Sequence, residues 1–238
     1  MQRSFSLIGN NELRESTMQK FATTAPVTAV LDIPAGRIQF IAADRADATV
    51  EVRPTDASRS RDVKAAELVE VTHDEGVLRV TAQAAGNRLL GTSGSVEVTV
   101  QLPAGSHVEA RSDAAELRAV GRLGEVTFDG GYRRIKIDEA AGVRLTAIEG
   151  DVEIGRLGGP ADISTTRGDI RIAEAAHGTV ALRTQAGAIS VTAAAGVSAA
   201  LEAETALGRV SNALKNNGTA ELTIRATTGL GDITARSL

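Results

Sequence analysis

Three aspartates each stand directly after a glycine in a recurring turn, and they are the residues best suited to chemistry: Asp151, Asp169 and Asp232. A row of carboxylates could bind a metal ion, or act as the acid–base pair that cleaves glycosidic bonds. Aspartate is also common in turns, because its side chain bonds nearby backbone groups. The paired glycines and fixed Asp offsets of calcium-binding β-solenoid repeats are absent. We therefore expect turn chemistry here, with a cation shared by Asp151 and Asp169 as the alternative.

The three histidines are the next candidates for metal binding: His73, His107 and His177. No two of them have the short helical spacing of a zinc site, and the chain has no cysteine to supply thiolate ligands. We interpret all three as surface loop residues. The glycine-rich stretches neither open a helix nor carry Gly-Lys-Ser/Thr, so they do not predict a phosphate-binding loop. The sequence thus predicts no catalytic, metal-binding or cofactor-binding residues, and no cofactor.

A short basic run, Arg133, Arg134 and Lys136, could contact phosphates or an acidic partner. In the repeat described next, Asp151 and Glu153 align with Arg134 and Lys136, so we expect these charges to be neutralised within the fold. The whole chain has 26 basic and 30 acidic residues in a mixed distribution, with a net charge of −4. This composition lacks the basic stripe that nucleic-acid binding requires, and no nucleic-acid partner is expected.

The elements that position these residues belong to a repeat with seven copies. One copy reads ADISTTRGDIRI (161–172), and the residues aligned with its Gly168 are Ala115, Arg133, Gly150, Gly168, Gly187, Gly208 and Gly231. The spacings are 18, 17, 18, 19, 21 and 23 residues. Two positions after each of these residues the chain has Leu117, Ile135, Val152, Ile170, Ile189, Val210 and Ile233. A repeat near 20 residues indicates a stacked fold in which each unit contacts its neighbours.

Alternation of apolar and polar residues within each copy predicts two short β-strands around a turn. In the copy around Gly168, Ala161, Ile163, Ile170 and Ile172 should point inward. One copy cannot bury its apolar side alone, so we expect the copies to stack in parallel around a column of Val, Ile, Leu and Ala. The predicted fold is all-β: a β-solenoid of about seven coils.

The first half of the chain is rich in predicted strands but does not hold this period. We expect residues 1–17 to be a poorly ordered leader, residues 18–107 a strand-rich N-terminal cap, and residues 108–238 the solenoid, in one continuous elongated domain. Such a cap would protect strand edges that otherwise invite aggregation. The last coil in sequence, Thr219–Leu238, shows no capping segment and should form the opposite, exposed end.

No apolar run approaches the 18 or so residues needed to span a bilayer, and the N-terminus lacks the apolar core of a signal peptide. Met18 is an alternative start. The expected location is therefore the cytoplasm.

Several segments together resemble the bacterial "putative adhesin" β-strand-repeat family, a domain of unknown function common in actinobacteria. The resemblance rests on Ile33–Ile38, Ala46–Val52, Val96–Gly105 and the repeated Thr-x-x-Gly-Asp-Ile, and it covers about residues 18–238. It implies a β-helix-like fold and brings no catalytic residues to this chain.

A column filled with small aliphatic side chains leaves no internal pocket, so we expect a non-enzymatic structural or interaction scaffold. It would present flat β-faces to an unknown protein or polysaccharide partner, and form homo-oligomers through its end or faces. One alternative is a carbohydrate-active β-helix enzyme using Asp151 and Asp169, although one Tyr, four Phe and no Trp leave few sugar-stacking surfaces. The other alternative is an exported cell-surface adhesin.

Overall fold

The computed structural model describes residues 18–23, 25–82, 94–131 and 133–238. The predicted leader 1–17 lies outside the described residues. The described chain forms nineteen strands and one helix: β1 (Met18–Ala22), β2 (Thr28–Asp32), β3 (Ala35–Ala43), β4 (Asp47–Pro54), α1 (Ser60–Glu67), β5 (Val69–Asp74), β6 (Val77–Ala82), β7 (Val96–Pro103), β8 (His107–Ser112), β9 (Ala114–Gly130), β10 (Ile135–Glu149), β11 (Val152–Leu157), β12 (Ala161–Arg167), β13 (Ile170–Ala175), β14 (Gly178–Ala186), β15 (Ile189–Ala193), β16 (Ala199–Leu207), β17 (Val210–Ala213), β18 (Leu222–Leu230) and β19 (Ile233–Ser237).

The strands stack into two ladders, and each coil contributes one strand to each ladder. The first ladder runs β5, β6, β2, β8, the second half of β9, the second half of β10, β12, β14, β18 and β16. The second runs β1, β4, β7, β3, the first half of β9, the first half of β10, β11, β13, β15, β19 and β17. All pairs are parallel except three antiparallel ones, in which β5 pairs with β6, β4 with β7 and β1 with β4. The predicted β-solenoid fold class is confirmed.

The core is one continuous cluster shared by both ladders. Ile163, Ile170 and Ile172 are buried as predicted, and Ala161 with them. Burying each such isoleucine contributes about 1.5–3 kcal/mol, so the stability of the column is spread over many small increments. Because the side-chain period is two, a slip of one residue would turn this whole apolar set outward, which holds the coils in register.

Two further coils lie within residues 18–107. The pair β2–β3 stacks beside the first predicted copy, with Gly36 opposite Ala115 and Ile38 opposite Leu117. The pair β6–β7 stacks on the other side of β2–β3. The strands β4 and β5 and the helix α1 separate these two coils in sequence, which is why the period is broken there. At this end the antiparallel strands β5, β4 and β1 follow the last coil, and α1 contacts β4 and β7.

The final two copies are stacked in the reverse of their sequence order. Strand β18 lies between β14 and β16, and β19 lies between β15 and β17. The expectation that Thr219–Leu238 forms the exposed end is therefore wrong, since the coil β16–β17 occupies that place. The reason is visible at one register position: Asn212 stands opposite Ala235, which is buried. Burying an amide without hydrogen-bond partners is costly, so the more apolar coil takes the interior position.

Candidate functional site

The three turn aspartates link successive coils through backbone hydrogen bonds. Asp151 Oδ1 accepts a bond of 2.9 Å from the N–H of Asp169, and Asp169 Oδ1 accepts one of 2.7 Å from the N–H of Ala188. Asp232 Oδ1 accepts one of 2.8 Å from the N–H of Arg209. These N–H groups lie at the corner of the coil, where the strand ladder supplies no partner. Each carboxylate therefore acts as a structural acceptor for the neighbouring coil.

Threonine hydroxyls make a second set of bonds at the same corner. Thr184 Oγ1 donates to the carbonyl of Gly168 over 3.2 Å, and Thr228 Oγ1 donates to that of Gly187 over 2.9 Å. Both threonines are buried. In each pair of neighbouring coils, the threonine hydroxyl of the coil nearer to β16–β17 donates to a carbonyl of the other coil. The aspartate of that other coil accepts a hydrogen bond from an N–H of the coil nearer to β16–β17. The corner is a hydrogen-bonded column of structural groups.

Glycine is required in this column by close stacking of backbones. At Gly168 φ is +136°, and a Cβ would lie 2.3 Å from the carbonyl oxygen of Gly150. At Gly231 φ is +146°, and a Cβ would lie 2.1 Å from the carbonyl oxygen of Gly187. Such positive φ values are essentially confined to glycine, and the contact leaves no room for a methyl group.

The basic run is partly paired within the fold. Lys136 Nζ lies 3.1 Å from Glu153 Oε1, and Arg134 Nη2 lies 3.5 Å from Glu153 Oε2. Glu153 thus contacts both cations. Asp151 was expected to face Arg134, but its Oδ1 accepts the backbone bond described above. Arg134 instead pairs with Glu153, two residues after Asp151.

The histidines do not converge. His73 lies in β5, where its ring packs at 5.4 Å from that of Phe21. His107 lies at the start of β8, and its Nδ1 accepts a 2.9 Å hydrogen bond from the N–H of Glu125. His177 is exposed in a corner between strands. The interpretation as loop residues is therefore wrong for His73 and His107. Among the described residues, no group of three or more His, Asp or Glu side chains is arranged to hold a metal ion.

A shallow groove of about 370 Å³ follows the second corner of the coils. Its lining residues are Gly121, Arg122, Asp138, Glu139, Gly155, Arg156 and Glu174. Glu139 stands in register between Arg122 and Arg156, and Arg156 pairs with Glu174 over 3.5 Å. The charges alternate from coil to coil and attract one another. None of the described residues that line this groove is aromatic, so they offer no stacking surface for a sugar ring.

The coil β16–β17 ends both ladders, and its outer edge has no strand beside it among the described residues. The carbonyl of Ser198 accepts a hydrogen bond from the N–H of Leu222 in β18. Because backbone groups alternate in direction along a strand, every second residue from Ala199 onwards points its N–H and C=O away from β18. The N–H of Ala199 donates to the carbonyl of Lys215 in the following loop, and its C=O accepts from the side chain of Asn216. Beyond it, the backbone groups of Leu201, Ala203 and Thr205 face outward.

Apolar side chains surround this free edge. Leu207 is 67 % exposed and Val210 is 47 % exposed, both in the terminal coil. Leu230, directly opposite Leu207 on the neighbouring coil, is 54 % exposed. In the coils β10–β11, β12–β13 and β14–β15 this corner position has polar or small residues, namely Glu149, Arg167 and Ala186. Among the described residues, no intramolecular contact covers this free strand edge and the exposed leucines beside it.

Within the described part of the chain, no helix is long and apolar enough to cross a membrane. A search of curated proteins found no match. Similar solved structures include a "putative adhesin" from Bacteroides fragilis NCTC 9343, 11 % identical, with 93 % of this chain and 97 % of that chain covered and a TM-score of 0.43. Another is a "putative adhesin" from Parabacteroides distasonis ATCC 8503, 12 % identical, with 92 % and 97 % covered and a TM-score of 0.43. The family model described as Toastrack DUF4097 matches residues 26–237. The chain therefore belongs to the Toastrack DUF4097 family.

Proposed function

We propose that this protein is a non-enzymatic interaction scaffold that associates with itself through the open end of its solenoid. At a coarse level the Toastrack fold supports a scaffold. The single observation that supports the finer proposal is the coil β16–β17, which leaves a strand edge unpaired next to exposed Leu207 and Val210. Natural proteins usually cover or charge such an edge because it pairs readily with other chains.

A purely structural role for the repeated geometry of the corner agrees with this proposal. Asp151 and Asp169 would have to act together in the alternative, a carbohydrate-active enzyme. One oxygen of each carboxylate accepts a backbone hydrogen bond from the next coil. The groove at the other corner has mutually paired charges and no aromatic lining residue. Polysaccharide hydrolysis that is lost in the Asp151→Ala/Asp169→Ala variant, with the fold retained, would establish the enzyme instead.

The flat outer faces of the ladders are a second surface for a protein or polymer partner. They present alternating charges that are largely paired between coils, as in Arg183 with Asp162 at 2.8 Å and Arg225 with Glu202 at 2.9 Å. Such paired surfaces bind weakly on their own. We therefore assign the self-association to the end of the solenoid rather than to its faces.

Light scattering of the purified full chain across a concentration series tests the proposal. We expect a mass that rises above the 24.6 kDa of one chain as concentration increases. A mass of one chain at all concentrations would exclude self-association and direct the search to other partners. Cell fractionation is the separate test of location: the scaffold proposed here is cytoplasmic, whereas an exported adhesin would be found outside the cell.

A further inference from the structure

We infer that the partner at the open end is a second copy of the chain, joined head to head about a two-fold axis so that β16 of each copy pairs with β17 of the other. This inference rests on the proposed self-association and specifies its geometry. A two-fold arrangement uses the same surface on both copies and closes the assembly at two chains.

The direction of the strands permits this pairing. Each coil returns to its starting ladder after two strands, so β16 and β17 of one coil run in opposite directions. A two-fold axis parallel to the strands and midway between the ladders places β16 of one copy over β17 of the other, antiparallel, on both sides at once. Both ladders then continue across the junction: Thr205 faces Asn212 of β17 and Ala203 faces Leu214 just beyond it, so the outward backbone groups of these two β16 residues gain partners.

The charges on β16 and just after β17 are complementary. Glu202 and Glu204 project from the outer face of β16, and among the described residues Glu204 has no ion-pair partner. Strand β17 carries no charge of its own and is followed closely by the exposed Lys215. The two-fold pairing brings Glu202 and Glu204 of each copy towards Lys215 of the other, and it does so twice.

Other end-to-end arrangements oppose like charges. Pairing β16 with β16 of a second copy would set Glu202 and Glu204 against themselves. A head-to-tail stack would set β16 against β5, the other end of the same ladder, which carries exposed Glu70 and Asp74. Like charges directly opposite destabilise strand pairing. Complementarity therefore selects the head-to-head pairing of β16 with β17.

The exposed leucines lie where this junction would cover them. Leu207 ends β16 and Val210 begins β17, on either side of the turn at Gly208. The proposed axis brings the two turns to the same side of the assembly, so Leu207 of each copy approaches Val210 of the other. Removing this apolar surface from water favours association and opposes the cost of immobilising the two chains.

Two charge reversals and their combination test the inference in the full chain by sedimentation equilibrium. Glu204→Lys and Lys215→Glu should each raise the dimer dissociation constant at least about tenfold, because each opposes like charges across both strand pairs. The combined variant restores opposite signs at positions 204 and 215 and should lower the constant at least about threefold below that of either single variant. Glu109→Lys, an exposed strand glutamate in the middle of the solenoid, is the matched control and should leave the constant unchanged.

A second variant tests the strand edge itself. The N–H of Ala203 faces outward, so Ala203→Pro removes a donor for the junction without removing one from the pair with β18. We expect loss of the dimer with retention of the β circular-dichroism spectrum. A dimer that persists in Ala203→Pro, or that is not restored in the combined charge variant, would overturn the head-to-head pairing while leaving self-association intact. A wild-type chain that is monomeric would instead overturn both proposals.

Discussion

The carboxylate of Asp169 accepts a 2.7 Å hydrogen bond from the backbone N–H of Ala188 on the next coil. The N–H of Asp169 itself donates to Asp151 on the preceding coil, so donors and acceptors run in one direction along the corner. This relationship assigns the aspartates to the stacking of coils. It predicts that changes at the corner alter stability rather than any activity.

Asp169→Ala should lower the free energy of unfolding by about 0.5–1.5 kcal/mol, because the N–H of Ala188 loses its acceptor. Chemical denaturation with circular dichroism measures this change. The matched control is Asp162→Ala, which removes an exposed ion pair with Arg183 and should cost less, about 0–1 kcal/mol. Equal losses in the two variants would mean that the bond to Ala188 has no special role.

Gly168→Ala should be more damaging, because a methyl group would meet the carbonyl of Gly150 at 2.3 Å in a backbone conformation that alanine rarely adopts. We expect a loss of at least about 2–3 kcal/mol, measured as a lower midpoint of urea denaturation. At Gly196 φ is also positive, but nothing lies within 4 Å of the added carbon. Gly196→Ala should therefore cost only the backbone strain, about 1 kcal/mol. A smaller effect at Gly168 than at Gly196 would contradict the close stacking.

Thr228→Val replaces the buried hydroxyl that donates to the carbonyl of Gly187 with a methyl group of similar size. The free energy of unfolding should fall by about 1 kcal/mol, because the carbonyl loses its partner while packing is kept. Thr227→Val, on the exposed side of the same strand, should change stability by less than about 0.5 kcal/mol. Thermal melting of the two variants side by side provides the comparison.

The first strand is held by a pH-dependent contact. Hydrogen bonds from the Arg45 and Lys20 side chains to Asp47 hold the pKa of that carboxyl below its ordinary value. A lowered pKa in the folded state stabilises the protein above the unfolded pKa of about 3.9, and this contribution is lost as pH falls through the folded value. The stability difference between the wild type and Asp47→Asn should therefore be largest at neutral pH and shrink below about pH 4. A difference that is constant from pH 7 to pH 3 would show that the contact does not depend on ionisation.

The order of the last two coils predicts a contrast in hydrogen exchange. Amides of β18, such as Ile224 and Ala226, bond to a neighbouring strand and should exchange slowly. The outward amides of Leu201 and Ala203 on β16 should exchange much faster at protein concentrations where the chain is monomeric. Exchange that is slower in β16 than in β18 would indicate that the coils stack in sequence order, with β18–β19 at the end.

Much of the fold could be predicted because stacking requires a period. The inward positions of Ile163, Ile170 and Ile172 follow from alternation, and the copies align in register as the spacing indicates. Gly36 occupies the position of Gly168 in an earlier coil, with Ile38 two positions later. The spacing does not reveal this coil, because its neighbour in space, β6–β7, is separated from it in sequence by β4, α1 and β5.

The interchange of the last two coils could not be predicted from the repeat alone. Both β16 and β14 meet β18 in the same register, with Leu201 and Val180 each opposite Ile224, so the pattern permits either order. The signal that distinguishes them is Asn212, a polar residue at an inward position of its copy. A search for the least apolar copy would have identified the exposed end, and with it the free edge of β16.

We expect the open end of the solenoid to join two copies of this protein. Multi-angle light scattering of the full chain over a wide concentration range measures this association. The mass should shift from the 24.6 kDa of one chain towards twice that mass, without larger species, because the two-fold junction uses both open ends. A constant mass of one chain, or an open series of ever larger species, would contradict it.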